Sequence, residues 1–210
     1  MKVLFSPNTM DGKRCYQAAL AMVLNTFRPE TKVYPSDLDE VTNHTPGKWT
    51  WPTAGMLWLL DNGFELRLIE DFDYEEFARR GPDYIIDKAG PEVGEAQIRN
   101  SLIDQELDYA RKFAKLNLVE KRLPCFKDIR QLLAEGYLVL CNVNSAALHG
   151  QPGYAGHFVV IFEIDDQNLT MHDPGLPPRP GLKVSREIFE KAWAYPSENE
   201  KNLLAVRLKK

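Results

Sequence analysis

The sequence contains little cysteine, no surplus of positive charge and no long apolar run. Its three cysteines are an odd number without a CxxC pair, so neither a disulfide framework nor a zinc ribbon is expected. The formal net charge of −4, with no basic cluster, argues against a nucleic-acid binder. No stretch is apolar enough to span a membrane, and the amino-terminal segment lacks the apolar core of a secretory signal. These absences predict a cytoplasmic protein without a metal or other cofactor.

The composition is that of a globular protein. Hydrophobic residues make up 44% of the 210 residues and charged residues 27%, which is enough apolar material for one core. We predict a single domain over residues 1–210, with a helical insertion at about 91–121, where the chain becomes strongly charged. The charge run there favours a solvent-facing helix side, and a binding surface is the alternative.

Hydrophobic periodicity and turn residues predict helices first and strands later. Helices are expected over 13–25, 53–62, 73–80 and 185–193. Strands are expected over 138–143, 157–165, 169–173 and 203–208. Helices followed by antiparallel strands form an α+β plan.

One cysteine lies where a polar loop gives way to a helix. In DGKRCYQAALAMVL (11–24), Cys15 falls in the first turn of the predicted helix, where the helix dipole lowers a thiol's pKa. Cys141 lies in the continuous apolar run of a buried strand, and Cys125 lies at a helix entry. Both are interpreted as structural, which leaves Cys15 as the candidate nucleophile.

Two residues on a predicted hairpin complement that cysteine. His157 opens one strand and Asp173 closes the next, and in an antiparallel pair these positions are neighbours. An imidazole that acts as a base needs an acceptor on its other nitrogen, and Asp173 supplies one. The alternative for Asp173 is that the Asp-Pro-Gly sequence marks an ordinary turn. Of the remaining histidines, His149 lies in a Gly-rich loop and His172 alternates with Asp173 to the opposite face.

The order of these residues resembles that of a known family. The matching stretches are CYQAALAMVL, IRQLLAEGYLVLCNVN, GHFVVIFEIDDQNLTMHDPG and VSREIFEKAW. They are similar to the double-glycine-leader peptidases that process bacteriocin precursors, and to stand-alone papain-like relatives. The resemblance covers nearly the whole chain except about 71–121. It implies a papain-like α+β fold, with the nucleophile helix packed on an antiparallel sheet. It also implies Cys15 as nucleophile, His157 as general base and ion-pair partner, and Asp173 as the residue that orients His157.

The sequence departs from the family pattern around the cysteine. Arg14 and Tyr16 flank Cys15, where the family has Cys-Gly, often preceded by Asp. Thr9 occupies the place of the glutamine that donates to the oxyanion. Asn8 is the nearest amide and our tentative oxyanion residue, with an ordinary turn role after a proline as the alternative.

The resemblance implies a thiol hydrolase with a Cys-His-Asp triad, acting on a peptide or protein substrate through a thioester. Two alternatives stay open: an acyltransferase that passes the acyl group to an amine, and a catalytically inert binding module on the same scaffold. Trp49, Trp51 and Tyr154 lie in predicted loops, where one alternative is that they line a substrate groove. No feature predicts the oligomeric state.

Overall fold

The structure is a computed structural model and describes residues 2–209. The helices are α1 (Cys15–Phe27), α2 (Thr53–Asp61), α3 (Tyr74–Arg80), α4 (Pro82–Asn100), α5 (Ile103–Phe113), α6 (Phe126–Ala134), α7 (Ser145–Leu148) and α8 (Arg186–Trp193). The strands are β1 (Phe64–Glu70), β2 (Val119–Glu120), β3 (Leu138–Asn144), β4 (Gly156–Ile164), β5 (Asn168–Asp173), β6 (Arg179–Ser185) and β7 (Asn202–Leu208). Short 3-10 helices occur at Pro35–Leu38, Ala114–Leu116 and Glu198–Glu200.

All these strands belong to one sheet, in the order β2-β1-β7-β3-β4-β5-β6. Every neighbouring pair is antiparallel except β1 with β2. The carboxyl-terminal strand β7 lies between β1 and β3, so it joins the first part of the chain to the last. The predicted α+β class, with a largely antiparallel sheet, is confirmed.

The sheet is covered on both faces. One face packs against α1, α2, α3 and α5, and the other packs against α6 and α8. Strand β3 illustrates this burial on both faces. Leu138 and Leu140 face the core that contains α1, while Val139 and Cys141 face the core that contains α6 and α8. A strand buried on both sides reads as a continuous apolar run rather than an alternating one.

Two elements differ from the sequence-based expectation, and a third was not predicted. Strand β6 begins within the Pro/Gly-rich stretch 173–181, where turn residues predict a loop. Its proline is tolerated because β6 is an edge strand, where a missing backbone donor costs little. The short α7 lies between the predicted strand 138–143 and the Gly-rich loop that follows, where no element was predicted. Helix α4 begins at Pro82, well before the predicted insertion at about 91–121, and it is interrupted at Gly90, whose φ is +77°. A proline in the first turn is favourable because its missing N–H has no partner there.

Between residues 2 and 209, no helix combines the length and the apolar character needed to cross a bilayer.

Candidate active site

The nucleophile candidate, Cys15, is the first residue of α1 and is half-buried. Helix α1 packs against β4, the strand that carries His157. The first N–H groups of a helix lack carbonyl partners within it, so this end carries partial positive charge. The backbone N–H groups of Phe158 and Tyr16 also lower the pKa of the thiol. The thiol therefore lies where its ionised form is stabilised.

His157 and Asp173 meet at one end of the β4–β5 hairpin. Val160 pairs with His172, and this register brings the start of β4 beside the end of β5. His157 Nε2 lies 2.7 Å from Asp173 Oδ1. Since Nε2 is engaged, Nδ1 is the ring nitrogen left to interact with Cys15, and the two groups are close enough to shift each other's pKa. The structure therefore brings together the three side chains selected from the sequence.

Burial disfavours the charged forms of Cys15, His157 and Asp173, but the interactions among these three groups outweigh the effect of burial. Burial raises the pKa of Cys15, but the hydrogen bond and charge of His157 bring it below the ordinary thiol value. Burial lowers the pKa of His157, but Asp173 and Cys15 raise it to about 9. Burial also works against the Asp173 carboxylate, yet His157 lowers its pKa to about 2. These directions favour a thiolate–imidazolium pair at neutral pH.

Asp173 is held at both oxygens. Oδ1 accepts the Gly175 N–H at 2.8 Å in addition to its contact with His157. Oδ2 lies 2.8 Å from His149 Nε2, and Arg179 Nη1 is 3.5 Å away. Gly175 also leaves space at the triad, because a Cβ there would lie 2.9 Å from Asp173 Oδ1. A carboxylate fixed at both ends holds the imidazole in one orientation.

Sequence reasoning missed His149. It follows α7 in a segment that was predicted as a Gly-rich loop, and nothing in its local sequence marks it as a partner of Asp173. The contact arises only when the residue following α7 is brought against the end of β5.

Asn8, rather than Thr9, is directed towards the start of α1. Its Oδ1 accepts the backbone N–H of Arg14 at 2.8 Å and that of Thr9 at 2.9 Å. Its own backbone N–H donates to Pro174 O at 2.9 Å. Because Oδ1 already accepts two hydrogen bonds, the side-chain NH₂ is the part of the amide that is left to act, and an NH₂ group is a hydrogen-bond donor. The Thr9 hydroxyl instead donates to Asp11.

Comparisons with known proteins agree with this geometry at the level of the fold. No family model matches the sequence, and no curated protein sequence matches it. Among solved structures, the peptidase domain of Streptococcus ComA, a bifunctional ABC transporter of a quorum-sensing pathway, is similar. It is 15% identical, with a TM-score of 0.53, and the match covers 99% of this chain and 98% of that one.

A C39-like peptidase from Bacillus anthracis is similar too, at 16% identity and a TM-score of 0.51. The match covers 99% of this chain and 96% of that structure. The chain has the papain-like peptidase fold.

The residues that depart from the papain-like pattern have partners of their own. Arg14 forms a two-pronged ion pair with Asp39, with Nε–Oδ1 and Nη2–Oδ2 both at 2.8 Å. Tyr16 is fully buried and donates its hydroxyl to Pro52 O at 3.1 Å. Its ring lies against Gly55 of α2, where any Cβ would collide with it. The large side chain of Tyr16 therefore fits after the cysteine because Gly55, which lies opposite its ring, has no side chain.

Other residues considered from the sequence lie outside the triad. His172 packs between Phe5 and Phe162, and its Nε2 lies 3.1 Å from a backbone carbonyl. Gln17 donates to two threonines of the loops after α1, so it does not serve the oxyanion. Cys141 is fully buried, whereas Cys125 is exposed at the start of α6.

A cleft of about 190 Å³ leads away from Cys15. It follows the end of the sheet where β1 and β3 finish and β4 and β7 begin. Trp49, Trp51 and Tyr154, the loop aromatics noted in the sequence, all line it. Helix α4 forms a further wall. In the described part of the chain, no group of three or more His, Cys, Asp or Glu side chains is arranged to hold a metal ion.

Proposed function

We propose that the protein is a cysteine-dependent hydrolase that cleaves amide bonds of peptides through a thioester acyl-enzyme. The observation that carries this proposal is that Cys15 lies at the amino end of α1 and lines a cleft, and that His157, which contacts Asp173, is close enough to lower the pKa of Cys15. A thiolate paired with an imidazolium is the arrangement that nucleophilic attack on a carbonyl requires. The shared fold with two peptidase structures supports a peptide as the substrate class.

In the first half of the reaction, the Cys15 thiolate attacks the scissile carbonyl carbon and forms a tetrahedral intermediate. The backbone N–H of Cys15 and the side-chain NH₂ of Asn8 stabilise its oxyanion. The His157 imidazolium donates its proton to the leaving nitrogen, the C–N bond breaks, and an amine departs.

In the second half, His157 is neutral and takes a proton from water. The resulting hydroxide attacks the thioester carbon, the C–S bond breaks, and the carboxylic acid product leaves. The thiolate and imidazolium are then restored. Asp173 keeps the ring oriented through both halves and stabilises its charged form.

Replacement of Cys15 tests the proposal directly. Cys15→Ala should abolish both the hydrolysis of a mixed set of synthetic peptides and alkylation by iodoacetamide at about pH 6, where an unactivated thiol reacts slowly. Cys125→Ser is the matched control, because Cys125 is exposed and does not line the cleft, and it should change neither readout. Full peptide cleavage by Cys15→Ala would overturn the proposal.

Analysis of the reaction products separates hydrolysis from acyl transfer. Mass spectrometry of the products with and without an added amine shows whether the thioester is resolved by water or by the amine. Exclusive formation of the new amide would replace the hydrolase with the acyltransferase alternative.

A further inference from the structure

The loop that carries Asn8 closes on Arg14. Asn8 Oδ1 accepts the Arg14 backbone N–H at 2.8 Å, and within the loop the Gly12 N–H donates to Thr9 O at 2.9 Å. Asn8 is buried, with 8% of its surface exposed, yet its NH₂ group makes no hydrogen bond with the described residues. The direction of that NH₂ is therefore set by the bonds that Oδ1 accepts, and the bond from Arg14 ties it to the start of α1.

Little apolar packing holds this loop in place. Met10 is 90% exposed, and Asp11 and Gly12 are exposed as well. The Asn8 backbone N–H is anchored on Pro174 O, at the beginning of the loop. An exposed segment with few buried apolar contacts opens locally at low free-energy cost. The geometry between Asn8 and Cys15 therefore depends on polar side-chain contacts.

The Arg14 side chain supplies those contacts. Nη1 lies 3.0 Å from Asp11 Oδ2 and 3.4 Å from Thr9 Oγ1, so the guanidinium reaches back to the loop. Nε and Nη2 each lie 2.8 Å from one oxygen of Asp39. Only 16% of the Arg14 side chain is exposed, so water screens this pair less than it screens a surface ion pair. A two-pronged pair fixes the orientation of the guanidinium as well as its distance.

Asp39 is held by contacts outside that loop. It follows the 3-10 helix Pro35–Leu38, which packs against α1 and buries Leu38 in the core that contains α1. The Asp39 carbonyl accepts the His44 N–H at 2.8 Å, and the Asp39 N–H donates to Ser36 O at 3.4 Å. Asp39 can therefore serve as a fixed anchor for the Arg14 guanidinium.

Resting on the proposed function, we propose that Arg14 and Asp39 are positioning residues for the oxyanion site. Asp39 fixes the guanidinium, and the guanidinium fixes the loop on either side of Asn8 Oδ1. The amide of Asn8 is then held with its NH₂ aimed at the oxygen that becomes negative in the transition state. Both residues act through Asn8 and not on the substrate.

The test is Asp39→Asn, which breaks the two-pronged pair while Arg14 keeps its charge beside Cys15. We expect kcat for peptide cleavage to fall by about tenfold, since a small misplacement near the reacting atoms can cost up to about a hundredfold. KM should change little, because the oxyanion forms only in the transition state. Alkylation of Cys15 at about pH 6 should also change little, because it forms no oxyanion. A kcat equal to that of the unaltered protein would refute the inference.

A double variant separates positioning from general stabilisation. If Asp39 acts through Asn8, then Asp39→Asn should lower kcat by less than about twofold when Asn8→Ala is already present, because the donor that it positions is gone. If the pair only stabilises the fold, the loss should be the same with and without Asn8→Ala. Equal losses in the two backgrounds would overturn the inference.

Glu76→Gln is the matched control. It disrupts another two-pronged pair, formed with Arg79 on α3, and neither residue lines the cleft. It should leave kcat and KM unchanged. A loss of kcat as large as that of Asp39→Asn would mean that breaking any such pair lowers activity, and would count against a positioning role.

Arg14→Lys is the second variant. Lysine keeps the positive charge but cannot form the planar fork to Asp39, so kcat should fall as it does in Asp39→Asn. Combining Arg14→Lys with Asp39→Asn should cost little more than either change alone. If Asp39→Asn folds poorly by circular dichroism, Arg14→Lys with and without Asn8→Ala decides the question.

Failure of the proposed function has a different signature. If the unaltered protein cleaves no peptide in a Cys15-dependent way, the hydrolase assignment falls, and this inference falls with it. If cleavage depends on Cys15 and neither Asp39→Asn nor Arg14→Lys lowers kcat, the hydrolase stands and only the positioning role is wrong.

Discussion

The two halves of the candidate active site are held together by different means. On the hairpin half, backbone pairing of β4 with β5 brings His157 and Asp173 together, so their contact follows from strand register. On the helix half, the loop before Cys15 is held largely by side chains, through Asn8 to the Arg14 N–H and through Arg14 to Asp39. Strand register tolerates many sequence changes, whereas a loop held by side chains depends on particular residues.

The two halves also differ in how closely they follow the pattern that the sequence resembles. The hairpin half has the expected His and Asp. In the helix half, Arg14 and Tyr16 flank the cysteine, and each has a partner in this fold: Asp39 for Arg14, and Gly55 opposite the Tyr16 ring. We therefore expect substitutions in the hairpin half and in the helix half to change activity and stability in different ways.

The largest effect is expected at His157. In His157→Ala, the thiolate loses its cationic partner, so alkylation of Cys15 at about pH 6 should fall on the order of a hundredfold. In the unaltered protein, the pair should persist from the lowered pKa of Cys15 up to about pH 9, where His157 loses its proton. A pH series of alkylation rates measures both. An unchanged rate in His157→Ala at about pH 6 would show that the imidazole does not activate the sulfur.

Asn8 should affect turnover without affecting thiol reactivity. Asn8→Ala removes an oxyanion donor, and we expect kcat to fall by about a hundredfold. Alkylation of Cys15 should change much less, since that reaction forms no oxyanion. Thr9→Ala is the neighbouring control and should cost far less. A larger loss in Thr9→Ala than in Asn8→Ala would move the oxyanion role to Thr9.

Gly55 tests the packing compensation. Gly55→Ala should destabilise the fold by about 1–3 kcal/mol, because the new Cβ collides with the buried Tyr16 ring. Combining it with Tyr16→Leu, which vacates that space, should cost less than the sum of the two single changes. Chemical denaturation of the four proteins measures the coupling. Strict additivity would mean that the two residues do not share the space.

The smallest effect is expected at His149, which acts on the triad through Asp173. In His149→Gln, Asp173 keeps His157 and the Gly175 N–H but loses a contact on Oδ2. We expect kcat/KM to fall by less than about tenfold. The upper limit of the pH profile of Cys15 alkylation should shift, because the charge on Asp173 supports protonated His157. A stability loss with an unchanged pH profile would indicate a purely structural role.

Much of the site was predictable because its residues mark element boundaries. Cys15 begins a helix, His157 lies at the start of a strand and Asp173 ends one, and hydrophobic patterning locates such boundaries to within a few residues. His149 was not predictable, since its partner is reached through a loop whose path depends on the rest of the fold. The catalytic roles of these residues stay predictions until the variants are measured.

The charged segment was predictable on one side only. Glu92 and Glu95 of α4 are exposed, as the charge run predicts, whereas Val93 and Gln97 of the same helix line the cleft and Gln97 donates to Tyr154. A charge pattern describes the outer side of a helix and does not say what its other side covers.

The local order of residues was enough to determine that this chain forms an α+β protein with a cysteine at a helix start and a histidine and an aspartate on one hairpin. Periodicity, capping and turns are properties of neighbouring residues, so they can be taken from the chain directly. Tertiary structure alone decided that Asn8 turns towards the start of α1, that His149 contacts Asp173, and that α4 lines the cleft. Each of these depends on contacts between distant segments, whose geometry is set by the packing of the whole molecule.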